Sequence, residues 1–336
     1  VRARDLGLAT GDSGRHNAIT DVPGVGVGHV TLVRDPAVRT GVTAVVPGGI
    51  GPHAPLPAGL FTGNGHGKLV GATQLSELGL LESPIVLTAT LSAFRAADAL
   101  VTWMLAQPGC AGVRTFNPVV GECNDGHLSD IRARPVTEAH VLRAVATAAG
   151  GPVAEGCAGA GTGTTALGFK AGIGTASRLL HAAGEQVTLG ALVQANFGGT
   201  LRLHGRPITP SSLGLPGECL PPAGPEEAGS CMIVIATDAP VDARQLTRLA
   251  RRAVFALGRV GADYSHGSGD YAIAFTTRTG HAPMPDHELN PLFGAAMDAV
   301  EESVLNSLLA AETTTGAEGR TAHALPAPRL LELLRT

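Results

Sequence analysis

Five consecutive apolar residues, Met232-Ile233-Val234-Ile235-Ala236, leave no polar face, so a strand built from them must be covered on both sides. That requirement predicts a central strand of an α/β protein. A chain of 336 residues with 44% hydrophobic composition is long and apolar enough to supply the covering layers. Upstream, from His204 to Gly229, Pro207, Pro210, Pro216, Pro221, Pro222 and Pro225 break every regular pattern, and the stretch is too long for an ordinary connector. Gly229-Ser230 therefore falls where an irregular segment becomes a buried strand.

Helical periodicity alternates with β-rich runs along the whole length, and no charge run or low-complexity linker divides the chain. One α/β domain spanning 1–336 is the simplest organisation. The spacing predicts helices over Leu91–Leu105, Thr137–Ala149, Asp242–Leu257 and Pro291–Ala311. Strands are expected at Val42–Val46, Ile85–Thr90, Leu189–Ala195, Cys231–Thr237 and Tyr271–Thr277. In the third helix Asp242 and Gln245 suit a capping box, and Gly258 is placed to end it.

A net charge of −4 without a Lys/Arg cluster argues against a nucleic-acid partner. Gly and Pro interrupt each apolar run short of a membrane span, and Val1-Arg-Ala-Arg-Asp5 opens without an apolar signal region, so a soluble, cytoplasmic protein is expected. Cys110, Cys123, Cys157, Cys219 and Cys231 are odd in number and widely spaced, and the twelve histidines show no ligand spacing. Reduced thiols, no metal and no cofactor are the expectation.

Cleavage of the Gly229–Ser230 bond would give Ser230 a hydroxyl and a free α-amine, a nucleophile carrying its own base. The amine, with a reference pKa of about 7.7–8.0, would accept the hydroxyl proton near neutrality. The competing reading is a plain turn before a strand, where Gly-Ser pairs are common. Ser268 and Asp270 flank Gly269 at a strand entrance and can face an adjoining nucleophile; a Gly-rich capping loop is the alternative. A His266–Ser268–Asp270 triad is rejected, since residues so close in sequence cannot set the imidazole between hydroxyl and carboxylate. Asn196 ends a strand, where its amide can cap backbone or donate to an oxyanion. Glu122, Asn124 and Asp125 group polar atoms in a loop suited to a cationic substrate group or to a solvated turn. The glycines of 159–164 and 168–175 match neither nucleotide-loop spacing, and close backbone packing is the better use for them.

Together, Asn17-Ala-Ile-Thr-Asp-Val-Pro-Gly-Val-Gly-Val-Gly-His29, Leu80-Leu-Glu-Ser-Pro-Ile85, Gly121-Glu-Cys-Asn-Asp-Gly126, the two glycine-rich runs, Val193-Gln-Ala-Asn196, Gly229-Ser230 and Ser268-Gly-Asp270 resemble the DmpA-type aminopeptidases, the self-processing L-aminopeptidase/D-esterase and β-aminopeptidase family. The resemblance implies a four-layer αββα sandwich of the DmpA/ornithine-acetyltransferase type. It implies a precursor cut into 1–229 and 230–336 that stays together, usually as a homotetramer of cleaved heterodimers. Ser230 would be the nucleophile, Ser268 and Asp270 its positioning and proton-transfer partners, Asn196 the oxyanion donor, and Glu122 the binder of a substrate amino group. His127 stands where relatives carry a tyrosine that helps hold the oxyanion, and its imidazole can still donate one hydrogen bond. Cys231, next along the strand, should face the opposite side as core.

The implied activity is release of N-terminal aminoacyl groups from small peptides, amides or esters through an acyl-enzyme on Ser230. Two rivals remain at this stage: an acyltransferase in which an amine outcompetes water, and a non-catalytic binding homologue, favoured only by His127.

Overall fold

A computed structural model describes residues 1–216 and 229–335. Part of the proline-rich connector, with Cys219, Pro221, Pro222 and Pro225, lies outside the described residues. In chain order the first half contributes β1 (Val25–Arg34), β2 (Val38–Pro47), β3 (Leu56–Gly65), α1 (Ala72–Glu77), β4 (Leu80–Leu81), β5 (Ile85–Ala89), α2 (Ala93–Leu105), β6 (Val119–Cys123) and α3 (Glu138–Ala146). There follow two short hairpins, β7 (Thr165–Ala166) with β8 (Phe169–Lys170) and β11 (Leu201–Leu203) with β12 (Arg206–Ile208), between which run β9 (Ile173–Ala182) and β10 (Glu185–Asn196). The last part holds β13 (Ser230–Thr237), α4 (Ala243–Val260), β14 (Gly269–Thr276), α5 (Asn290–Leu309) and α6 (Ala327–Arg335).

Two sheets stack face to face. One has the order β1-β2-β5-β6, the other β4-β3-β14-β13-β10-β9. Val45, Ile85, Leu87 and Val119 of the first meet Leu192, Met232, Val234 and Ile273 of the second in a shared core. Ala96 and Leu100 of α2 and Val141 and Ala144 of α3 cover the outer face of the smaller sheet. The outer face of the larger one is covered by α4 and α5 through Leu246, Leu249, Val300 and Val304. The result is the four-layer αββα sandwich.

β13 shows why the layering is forced. Every one of its residues is buried. Cys231, Ile233 and Ile235 pack toward the helices, while Met232, Val234 and Ala236 pack into the space between the sheets, as the two-residue period of a strand requires. Parallel pairing with β14 is made possible by α4, which carries the chain back across the sheet.

Asp242 Oδ1 accepts from Gln245 N–H at 2.7 Å and Gln245 Oε1 accepts from Asp242 N–H at 3.1 Å, completing the expected capping box of α4. The helix does not stop at Gly258. Its apolar stripe continues to the buried Val260, and Gly261, at φ 101° in the left-handed region, ends it. One glycine inside a helix costs only about 1 kcal/mol, which that extra burial offsets. Cys110, Cys123, Cys157 and Cys231 are free thiols. Among the described residues no helix is long and apolar enough to cross a membrane.

Candidate active site

Three strand ends meet at one end of the larger sheet. Asn196 closes β10, Ser230 opens β13 directly opposite it in the antiparallel ladder, and Gly269 opens β14 opposite Ser230 on the other side. Facing them across the sandwich is the end of β6, where Glu122 pairs with Thr88 of β5. Gly121 is what lets the two sheets approach here, because a Cβ at that position would sit 2.3 Å from Met232 Cε.

Between these ends lies a cavity of about 60 Å³. His66, Lys68, Thr90, Glu122, Asn124 and Ser230 line it, and Gly67, Gly229, Gly267 and Gly269 form the rest of its described wall. Ser230 is only 3% exposed. Gly229 has φ 81°, in the region that favours glycine, and a Cβ there would lie 2.8 Å from Phe197 Cα. A glycine before the serine is thus demanded twice, by conformation and by space.

Asn196 is oriented by its neighbours. Thr165 N–H donates to Oδ1 at 3.1 Å, which turns the amide NH₂ toward Asn124 O at 3.0 Å and Ser230 Oγ at 3.5 Å. Ser268 Oγ donates to Asp270 Oδ1 at 2.8 Å, so no imidazole stands between them and the rejected triad has no counterpart. His266 instead lies beside His66, with ring centroids 6.1 Å apart. Burial pushes the Asp270 carboxyl up to about 6, against the lowering effect of the Ser268 hydrogen bond. Such a raised carboxylate beside a hydroxyl can shuttle a proton near neutral pH.

Glu122 is 3% exposed, and its carboxylate accepts from Lys68 N–H at 2.8 Å and from the Thr90 hydroxyl. Lys68 Nζ lies 3.9 Å from Oε1. The turn that carries Lys68 is braced by Tyr271, whose hydroxyl donates to Gly67 O at 3.0 Å and accepts from Gly67 N–H at 3.2 Å. Asn64, at the end of β3, ties the opposite loop by donating to the carbonyls of Ser265, His266 and Ser268.

His127 is not among the described residues lining the cavity. Its carbonyl accepts from Arg320 Nε at 2.6 Å, which fixes the loop after Asn124 to the C-terminal segment. Asp125 is buried away from the cavity wall, and burial raises its carboxyl to about 7. Nearby, the buried Lys170 ammonium donates to the carbonyls of Gly161 (3.2 Å), Thr164 (2.9 Å) and Ala171 (2.5 Å), holding the glycine-rich segment that presents Thr165 to Asn196. The glycines of that segment serve close packing. A Cβ at Gly163 would be 2.0 Å from Arg39 O, and one at Gly174 would be 1.8 Å from Ser303 O.

Lys68, Asn64, Thr90, Thr165 and Tyr271 were not singled out by sequence reasoning. The run Gly63-Asn-Gly-His-Gly-Lys68, polar and glycine-rich with one of only two lysines in the chain, was a readable signal. Thr90 and Thr165 carry none, because their roles exist only once strands from distant parts of the chain are side by side.

The peptidase family S58 profile matches residues 17–322. The β-peptidyl aminopeptidase BapA of Sphingosinicella microcystinivorans is 41% identical over 370 aligned positions, covering 99% of this chain and 92% of the relative. The structure of a Burkholderia sp. β-aminopeptidase superposes with a TM-score of 0.89 at 41% identity, covering 100% of this chain and 98% of the other. That of the L-aminopeptidase D-Ala-esterase/amidase from Ochrobactrum anthropi, described as a prototype for the serine aminopeptidases and a variant of the Ntn hydrolase fold, gives 0.89 at 38% identity, covering 99% and 98%. Similarity on this scale runs through both sheets and both helical layers, and the chain belongs to peptidase family S58.

Proposed function

We propose that the protein is an autoprocessed serine aminopeptidase, with amidase and esterase capacity, that cuts its own Gly229–Ser230 bond and then uses Ser230 as an N-terminal nucleophile. The carrying observation is that Ser230, Asn196 and the Ser268–Asp270 pair stand at one end of the larger sheet, with Glu122 lining the cavity beside Ser230. Cleavage yields chains 1–229 and 230–336. The new α-amine takes the Ser230 hydroxyl proton as Oγ attacks the substrate carbonyl. Asn196 stabilises the oxyanion from its amide NH₂. Ser268 and Asp270 polarise the nucleophile and relay its proton, and Glu122 receives the substrate ammonium. The amine product leaves, and water releases the acyl group from Ser230.

His127, which stands where relatives carry the tyrosine after Asn-Asp-Gly, is not among the described residues of the cavity wall, and this reading gives its imidazole no contact with the oxyanion. Asn124, which lines the cavity with its Oδ1 anchored by Gly126 N–H at 2.9 Å, offers an amide as the second oxyanion donor. The same reading carries a cytoplasmic homotetramer of cleaved heterodimers, checked by light scattering of the matured protein.

Intact-mass analysis of wild type beside Ser230→Ala tests the maturation step, and hydrolysis of aminoacyl anilides by the matured protein tests the chemistry. Two fragments split at Gly229/Ser230 in wild type alone, together with anilide hydrolysis, support the reading. An uncut wild type, or unchanged hydrolysis in Ser230→Ala, sinks it.

A further inference from the structure

The cavity beside Ser230 has an unusual wall for an acyl-group pocket. Among the described residues it contains no aliphatic or aromatic hydrocarbon side chain. It contains instead an acidic and a basic side chain side by side, Glu122 and Lys68, with Nζ 3.9 Å from Oε1. Glu122 is 3% exposed, whereas the Lys68 side chain is 42% exposed. An acyl donor bearing only an ammonium would set a second cation beside Lys68 on the single Glu122 carboxylate. An acyl donor bearing an ammonium and a carboxylate on one carbon answers both charges at once, and its own charges are spaced as neighbours in the same way.

That pairing restricts how the donor is linked. An ordinary N-terminal aminoacyl group has spent its α-carboxyl in the scissile bond, so it has no carboxylate left on the amine-bearing carbon for Lys68. A donor that keeps both the α-amine and the α-carboxylate must be joined through its side-chain carbonyl. The shortest such group is β-aspartyl, a β-aminoacyl group carrying one extra carboxylate on the amine-bearing carbon.

We propose that the substrates of this site are β-aspartyl amides and peptides, with Glu122 holding the α-ammonium and Lys68 the α-carboxylate; this rests on the aminopeptidase reading above. In the reaction Ser230 Oγ bonds to the side-chain carbonyl carbon, the C–N bond breaks, and the amine departs with the proton taken from the serine. Water then adds to the acyl-enzyme and L-aspartate leaves, restoring the Ser230 hydroxyl.

The test compares β-L-aspartyl-p-nitroanilide with β-alanyl-p-nitroanilide, which differ only in the α-carboxylate, on matured wild type, Lys68→Arg and Lys68→Met. The expected result is a kcat/KM ratio favouring the aspartyl substrate about tenfold or more in wild type, largely kept in Lys68→Arg and reduced at least tenfold in Lys68→Met. The proposal is overturned if β-alanyl anilide is the better substrate in wild type, or if the ratio is unchanged in Lys68→Met. Should neither anilide be hydrolysed while α-aminoacyl anilides are, the proposal is overturned; should no aminoacyl anilide be hydrolysed, the aminopeptidase reading fails on its own account. Calorimetric binding of the β-aspartyl anilide then judges the carboxylate site: binding that Lys68→Met abolishes upholds it, and absent or Lys68-independent binding overturns it.

Discussion

Truncating Asn196 to alanine separates the two jobs that its amide is placed to do. In the resting site Nδ2 lies 3.5 Å from Ser230 Oγ, and Oδ1 accepts from Thr165 N–H at 3.1 Å. As the carbonyl carbon becomes tetrahedral, charge gathers on its oxygen, and a donor within hydrogen-bond reach of that oxygen is worth about 2.7–4 kcal/mol, or 10²–10³ in kcat. KM should change by less than about threefold, because the transition state and not the ground state loses the bond. Removing Oδ1 also leaves the buried Thr165 N–H without its acceptor, at a cost of about 1–3 kcal/mol of stability. Asn196→Asp keeps an oxygen for Thr165 while removing the amide donors, so it should lose rate comparably and spare that particular hydrogen bond. The assay is steady-state anilide hydrolysis, normalised to the cleaved fraction by intact mass, beside thermal melting of each variant. A kcat within about threefold of wild type in Asn196→Ala would refute the oxyanion assignment, whatever happens to stability.

Gly229→Ala should slow or stop self-cleavage, since alanine meets both a left-handed φ and Phe197 Cα at 2.8 Å; a time course of fragment appearance at the wild-type rate would contradict this. Asp270 has a folded pKa of about 6 against 3.8 unfolded, so the stability it allows is complete below about pH 4 and falls as pH rises through 6. Asp270→Asn should therefore stabilise the protein at pH 7, by roughly 2–3 kcal/mol, with the gain vanishing near pH 4; equal melting curves at both pH values would count against the buried-charge account. Gly163→Ala places a methyl 2.0 Å from Arg39 O, a backbone atom that cannot swing away, and should cost about 1–3 kcal/mol in denaturant unfolding.

Much of the architecture was legible because it follows from local periodicity. The doubly apolar run at 232–236 became the buried strand β13, and the Asp242/Gln245 pair capped α4. The end of α4 was misjudged by a few residues because a glycine inside a helix costs little when the stripe beyond it is buried, as Val260 is. The glycines of 159–174 announced tight packing, yet only the tertiary structure says against what: carbonyls of Arg39 and Ser303, far away in sequence.

For the site, the sequence alone determined which residue types were on offer. It supplied a Gly-Ser junction before a buried strand, a Ser-Gly-Asp at another strand entrance, an Asn at a strand end and a Glu-Cys-Asn-Asp loop, and through them the family. The tertiary structure decided which of these stand together. Strand pairing sets Asn196 and Gly269 on either side of Ser230. Sheet stacking brings Glu122 and Thr90 across the core, and the turn after β3 brings Lys68 to Glu122. It left His127 off the cavity wall. The reason is physical: a strand's register and a helix's stripe are encoded by neighbours a few residues apart, whereas a cavity is made by chain segments tens to hundreds of residues apart whose proximity depends on how the two sheets stack.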